Sequence, residues 1–319
     1  MASSQYGKSA LNLSLDLCGV ALRNPLVLAS GILGTEGDLL ARVAQAGAGA
    51  VTSKSCGLLP RTGHPNPTVL DWGWGLINAV GLTNPGVEAE VAQLRALKPR
   101  LEELGVPLVA SVFGDTVDAF AEVAGRICSA GPDFVELNIS CPNVEAEFGR
   151  PFAVDCVSAA EVTRSAKQAV NCPVIVKLSP NVADIAAVAR AVEAAGADAI
   201  AAINTLGPGM IIDIHSGTPI LSNRVGGVSG PAIRPIAVRC VYDICAAVRI
   251  PVIGIGGVMT GRDALEMVMA GATAVGIGTA VRYRGLEAFR LILEEMQALM
   301  VECGYATLQS IRGVAHDRP

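Results

Sequence analysis

The chain has 319 residues, 51% of them apolar and only 4% aromatic, so a large core built of small aliphatic side chains is within reach. A net charge of −5 argues against a nucleic-acid-binding surface. No apolar run reaches the roughly 18 residues of a membrane span, and Met1 to Ala10 is polar without a signal-peptide core, so a cytoplasmic location is expected.

In chain order, Leu13–Leu17 and Val20–Leu22, split by Cys18-Gly19, read as a hairpin. Short apolar strands then alternate with alanine-rich helical patterns. The expected strand–helix pairs are 26–29 with 36–46, 50–53 with 87–104, 107–112 with 116–130, and 134–139 with 158–170. The second half continues with 174–178 and 183–195, 199–204 and 232–248, 252–256 and 261–270, and 274–278 and 286–303. Asp115 is the expected N-cap of the third helix. Gly47, Gly105, Gly131, Gly196 and Gly271 each follow a helical run, as C-terminal caps do.

Eight such units imply an α/β fold, a closed (β/α)8 TIM barrel, as one domain over residues 1–319, since such barrels need about 250 residues. The hairpin is placed to plug the barrel bottom. Two long connections, Cys56 to Gly86 and Leu206 to Gly230, should lie at the C-terminal mouth, where this fold keeps its chemistry.

The most informative segment is Glu136-Leu137-Asn138-Ile139-Ser140-Cys141-Pro142-Asn143. A thiol between two carboxamides can act as acid or base, and the carboxamides suit the alternating N–H and C=O edge of a pyrimidine or imide. Alone it reads equally as a strand-to-turn transition with a small buried cysteine. Other strand ends converge on the same mouth: Lys54 in Val51-Thr52-Ser53-Lys54-Ser55, Lys177 in Val174-Ile175-Val176-Lys177-Leu178, and Asn204 in Ile203-Asn204-Thr205. Lysines ending apolar strands are rarely buried without a partner. Asn78, in Ile77 to Gly86, adds a further carboxamide. Gly256-Gly257 and Gly278-Thr279 follow strands seven and eight, where backbone N–H groups form this fold's usual phosphate site. Nine cysteines without a C-x-x-C pair, and three histidines far apart in sequence, show no zinc or iron–sulfur spacing, so no metal site is expected. Cys128, Cys172, Cys240 and Cys245 lie in or beside apolar segments and read as core packing in a reduced protein.

In this order and spacing, with Gly226-Gly227-Val228-Ser229-Gly230, the motifs resemble the dihydroorotate dehydrogenases of the soluble class, from about Leu15 to Ala306. The Asn-Ile-Ser-Cys-Pro-Asn core is the specific part. The resemblance implies oxidation of dihydroorotate to orotate in pyrimidine biosynthesis, with hydride passing to FMN N5 and the C5 proton to Cys141. It assigns one FMN per chain to Ser30, Lys54, Ser55, Ser111, Asn138, Lys177, Ile203, Gly230, Gly256, Gly257, Gly278 and Thr279. Lys177 would stabilise charge on the reduced flavin. Substrate would meet Lys54, Asn78, Asn138, Asn143, Asn204 and Thr205, with the backbone of Ala79, Val80, Gly81 and Leu82, under a lid within Val144 to Val157.

The run from Asn204 to Ile233 looks most like the NAD-linked subclass. The resemblance then implies a homodimer and an electron-transfer subunit carrying FAD and a [2Fe–2S] cluster, docking on an exposed apolar patch near the flavin. Thr68, where relatives often carry arginine, and Glu145 to Arg150 depart from the family pattern. Alternatives are a dihydropyrimidine dehydrogenase-like domain, disfavoured by Asn143; the fumarate-linked subclass; a tRNA dihydrouridine synthase, disfavoured by the acidic charge; and an inactive assembly subunit, disfavoured by the intact Lys, Cys and Asn set.

Overall fold

Strand side chains alternate between two faces, so residues two apart in a closed barrel share the axis or share the helix layer. The computed structural model describes residues 11–33, 36–139 and 152–317. It opens with β1 (Leu15–Leu17) and β2 (Val20–Leu22), paired antiparallel as expected. β3 (Leu26–Leu28) and β4 (Ala50–Thr52) follow, then β5 (Val69–Asp71) and β6 (Leu76–Asn78) within the first long connection. Next come β7 (Leu108–Val112), β8 (Phe134–Asn138), β9 (Val174–Leu178) and β10 (Ala199–Ala202). The second connection carries β11 (Leu206–Gly209), β12 (Ile212–Asp213), β13 (Thr218–Pro219) and β14 (Gly226–Ser229). β15 (Val252–Ile255) and β16 (Ala274–Ile277) complete the strands. β3, β4, β7, β8, β9, β10, β15 and β16 close into a parallel barrel in that order, the eight strands expected.

The main helices of the described residues are α1 (Gly37–Gln45), α2 (Val87–Glu103), α3 (Val117–Ile127), α4 (Cys156–Ala169), α5 (Ile185–Ala194), α6 (Arg234–Ala247), α7 (Gly261–Met269), the short α8 (Ala280–Arg284) and α9 (Ala288–Glu302). Their starts follow capping chemistry: Asp155 and Asp184 accept from backbone N–H groups of α4 and α5, and Thr260 with Asp263 forms a capping box on α7. Asp115 is not the cap of α3. Thr116 takes the extended cap conformation, and its hydroxyl accepts from Ala119 N at 3.1 Å. Cys128, Cys172, Cys240 and Cys245 are only partly buried, at the margin of the core; among the described residues Cys56 is the fully buried cysteine.

The barrel interior is layered. At the N-terminal ends of the strands, Val27, Ala50, Val109, Phe134, Ile175, Ala199, Ala201, Ile253 and Ala274 pack with Leu17 and Leu22 of the hairpin. Every barrel strand contributes, so the hairpin does plug the bottom. Two residues further along four strands the inward positions turn polar: Thr52, Ser111, Glu136 and Lys177, all buried.

The two long connections do more than loop over the mouth. They pair into one antiparallel sheet in the order β11, β14, β6, β5. The signal for its hairpin lay in Asp71-Trp72-Gly73-Trp74-Gly75 between two short apolar runs. Glycines on β14 allow close approach on both sides: a Cβ on Gly227 would lie 2.1 Å from Thr205 Oγ1, just past β10, and one on Gly226 2.5 Å from Asn78 O on the neighbouring β6.

Candidate active site

The mouth holds a cavity of about 560 Å³, joined through shared wall residues to a narrower cleft of about 80 Å³. That is the size range of a ligand or cofactor site. Lys54 and Lys177 both face the larger cavity from strand ends. Lys177 is 4% exposed, and its one hydrogen bond among the described residues is to Ser30 Oγ, at 3.2 Å. A buried ammonium beside a neutral hydroxyl calls for an anion from a ligand.

Carboxamides line the same wall. Asn204 Nδ2 donates to Asn138 Oδ1 at 3.3 Å, and Asn204 Oδ1 accepts from Thr205 N at 2.8 Å. Asn138 Nδ2 donates to Ser55 Oγ at 3.0 Å. Asn78, at the end of β6, donates to Gly227 O at 3.2 Å, so the added sheet positions it. Val80, Gly81 and Leu82 reach the cavity wall, and Arg61 holds their loop by donating to Gly81 O at 2.7 Å. Ala79 does not line the wall: it is fully buried, its N–H spent on Thr68 O. Ser111 is also fully buried, one hydroxyl behind Ser55. Cys141 and Asn143 lie outside the described residues, as does residues 144–151 of the expected lid.

The narrower cleft is bordered by glycine. Gly256 and Gly257 take φ of 132° and 73°, and a Cβ there would come within 2.6 Å of Ala237 and 2.5 Å of Arg234. Without side chains the two glycines pack against the start of α6 and border the cleft with their backbone. Gly230, Ile203, Gly278 and Thr279 share this cleft, and Thr279 Oγ1 lies 2.8 Å from Ser229 Oγ. Such hydroxyls and N–H groups suit a phosphate.

Several wall residues were missed from sequence. Ser229 was visible inside a glycine motif but not singled out. Arg282, on α8, brings a cation to the cavity. Ile32, Leu33, Val69, Leu76 and Val281 supply its apolar side. Their only signal was position just after a barrel strand or inside a long connection.

Glu90, in the first turn of α2, is fully buried behind Lys54. Neither carboxyl oxygen completes a hydrogen bond among the described residues. Burial pushes its pKa up to about 7, against the opposing pull of the Ser53 hydroxyl and the Lys54 ammonium.

Residues 12–300 match the sequence profile of the family described as dihydroorotate dehydrogenase. The chain is 47% identical over 312 residues to "Dihydroorotate dehydrogenase B (NAD(+)), catalytic subunit" of Methanosarcina mazei, covering 98% of both chains. Proteins of the same description from Methanothermobacter thermautotrophicus and Pyrococcus abyssi are 45% and 44% identical, over 96% and 95% of this chain and 99% of each relative.

Proposed function

This chain belongs to the dihydroorotate dehydrogenase family, and from that premise we propose that it binds one FMN and oxidises dihydroorotate to orotate for pyrimidine (UMP) synthesis, as the catalytic subunit of an NAD-linked enzyme. The observation that carries the reading is the convergence of a buried Lys177, a wall of carboxamides and a glycine cradle on one cavity.

The residues fit FMN on their own chemistry. The cradle of Gly256, Gly257, Gly278 and Thr279 would hold its phosphate, and Ser30, Ser55, Ile203 and Gly230 would border the rest. Ser111 would act from behind Ser55. When bound, FMN supplies the two-electron acceptor for hydride. Lys177 answers the negative charge that develops there, because its ammonium is buried without a carboxylate beside it among the described residues. Lys54 meets the substrate carboxylate. Asn78, Asn138, Asn143, Asn204 and Thr205 orient the ring by its N–H and C=O groups. Cys141, three positions beyond Asn138, takes the C5 proton as a thiolate.

Anaerobic titration tests the core of this reading. Purified protein should be yellow, with one FMN per chain, and dihydroorotate should bleach it. Cys141→Ala should keep the flavin and lose bleaching at neutral pH, while Cys141→Ser should recover some rate only at high pH. A colourless protein that FMN cannot reconstitute overturns the proposal, and rapid bleaching of the alanine variant removes Cys141 from it.

The partner subunit, with FAD and [2Fe–2S], would take electrons on to NAD. Exposed Ile32, Val69, Trp74 and Tyr283 around the cavity side of β5 and α8 supply an apolar docking face. Exposed Met210, Ile212 and Ile214 on the β12–β13 excursion supply a second one for a homodimer. No helix of the described residues is long and apolar enough to cross a membrane. A single domain over 1–319, working in the cytoplasm, completes the reading. The isolated chain should reduce dyes but use NAD poorly; strong fumarate turnover by the chain alone would move it to the fumarate-linked subclass.

A further inference from the structure

Glu136 is a carboxyl group that the proposed chemistry does not use. It sits on β8, 3% exposed, two residues before Asn138 on the axis-facing side of the strand. Its Oε1 accepts from Ser111 Oγ at 2.9 Å. Ser111 Oγ lies 2.8 Å from Ser55 Oγ, Ser55 Oγ accepts from Asn138 Nδ2, and Asn138 Oδ1 accepts from Asn204 Nδ2. One unbroken chain of hydrogen bonds thus joins a buried carboxyl to two carboxamides of the cavity wall.

We propose that Glu136 is a positioning residue that, through Ser111 and Ser55, fixes which edge of the Asn138 carboxamide donates and which accepts, and so sets the ring pattern this cavity selects. Glu136 Oε1 accepts from Ser111 Oγ, so the single hydroxyl proton of Ser111 is committed to it. Ser111 can then only accept from Ser55, which commits the Ser55 proton as well. Ser55 has lone pairs left, and among the described residues the NH₂ edge of Asn138 donates to them. The oxygen of Asn138 must therefore face Asn204. The far end agrees independently: the Thr205 N–H claims Asn204 Oδ1, which turns the Asn204 NH₂ towards Asn138. Without the carboxylate, Ser111 is free to donate to Ser55. The Ser55 proton is then released, and the Asn138 amide loses the preference that holds its edges in place.

The role rests on the dihydroorotate reading only for its ligand, so the test separates the two. Neutron diffraction from the FMN-loaded chain should place the Ser111 deuterium towards Glu136 and the Ser55 deuterium towards Ser111. A Ser55 deuterium aimed at Asn138, or a deuterium on Glu136, overturns the proposal whatever the ligand. Orotate binding, read from the flavin absorption of the loaded chain, should weaken about tenfold in Glu136→Met with flavin content unchanged, and similarly in the gentler Ser111→Ala. Neither change should weaken binding further in a Ser55→Ala background, where the chain is already cut. Equal losses in both backgrounds would make Glu136 a filler of barrel space and overturn the relay. A wild-type protein blind to orotate would sink the functional reading, and the neutron map would decide the relay alone.

Discussion

The two ends of the barrel are built from the same strands, yet they do opposite work. At the bottom, Val109, Phe134 and Ile175 are sealed under Leu17 and Leu22 of the hairpin. Two residues on, the same three strands present Ser111, Glu136 and Lys177 to the same axis. The bottom layer has no polar atom to satisfy and adds burial. The upper layer forgoes apolar packing to hold hydrogen-bonding groups in fixed positions beneath the cavity. The stability of the fold and the chemistry of the site are thus separated by one pleat repeat along the barrel axis.

The bottom layer is the one whose disruption should cost the most stability. Phe134→Ala removes a fully buried ring from the bottom layer and should destabilise the protein by about 3–5 kcal/mol, seen as a lower urea midpoint. The molecules that remain folded should still bind FMN. Lys177→Met tests the upper layer. It should slow flavin bleaching by dihydroorotate by about 100–1000-fold, as loss of one preorganised charge does. The flavin-free protein should be no less stable than wild type, because a buried cation beside a lone hydroxyl gives way to an apolar chain. A marked loss of stability in that variant would mean the upper layer also carries the fold.

Much of this division was legible in the sequence, and for a simple reason. Lys54, Lys177, Asn138 and Asn204 all end apolar strands, so the alternation that identifies a strand also says which end is chemical. The (β/α)8 order and the plugging hairpin followed from the same periodicity. The auxiliary sheet was not foreseen, because β5, β6, β11 and β14 are each three or four residues long and its two halves join through β6 and β14, where Asn78 pairs with the far-off Gly227. Pairing at that separation leaves no local pattern. Ala79 was misplaced for the opposite reason: inside a strand-to-loop run, nothing local says which backbone faces the cavity and which faces Thr68. Glu90 went unnoticed because an acidic residue in a first helical turn ordinarily points to solvent.

Glu90 is a mouth-side group that is neither apolar nor, among the described residues, fully bonded. Its carboxyl stays protonated in the folded chain up to about pH 7, whereas the unfolded chain releases that proton near the ordinary value of 4.5. The folded state therefore holds the extra proton, and stability falls as pH rises from 4.5 through 7. Lys54 is the cation facing Glu90 and Cys56 the nearby thiol; the thiol stays protonated because burial pushes its pKa well up. Glu90→Gln keeps the shape and removes the titration. Wild type and variant should match near pH 4.5, and the variant should be the more stable by about 3 kcal/mol at pH 8. Parallel stability curves across that window would show that Glu90 ionises normally.

The smallest effect asks whether every polar group on the mouth side is chemical. Thr116 follows β7 on that side, yet it lines neither part of the cavity, and its hydroxyl is occupied with Ala119 N. Its work is to satisfy an N–H group that the first turn of α3 leaves without a helical partner. Thr116→Ala should then cost about 1 kcal/mol in urea unfolding and leave flavin content and the bleaching rate unchanged. Asp115→Ala, one position earlier, should change stability by less than about 0.5 kcal/mol, since it makes no cap. If Asp115→Ala proved the more damaging, α3 would begin one residue earlier than its backbone indicates. If Thr116→Ala slowed bleaching, the chemical layer would extend outward from the barrel axis into the helix starts, and the separation along the axis would no longer describe the molecule.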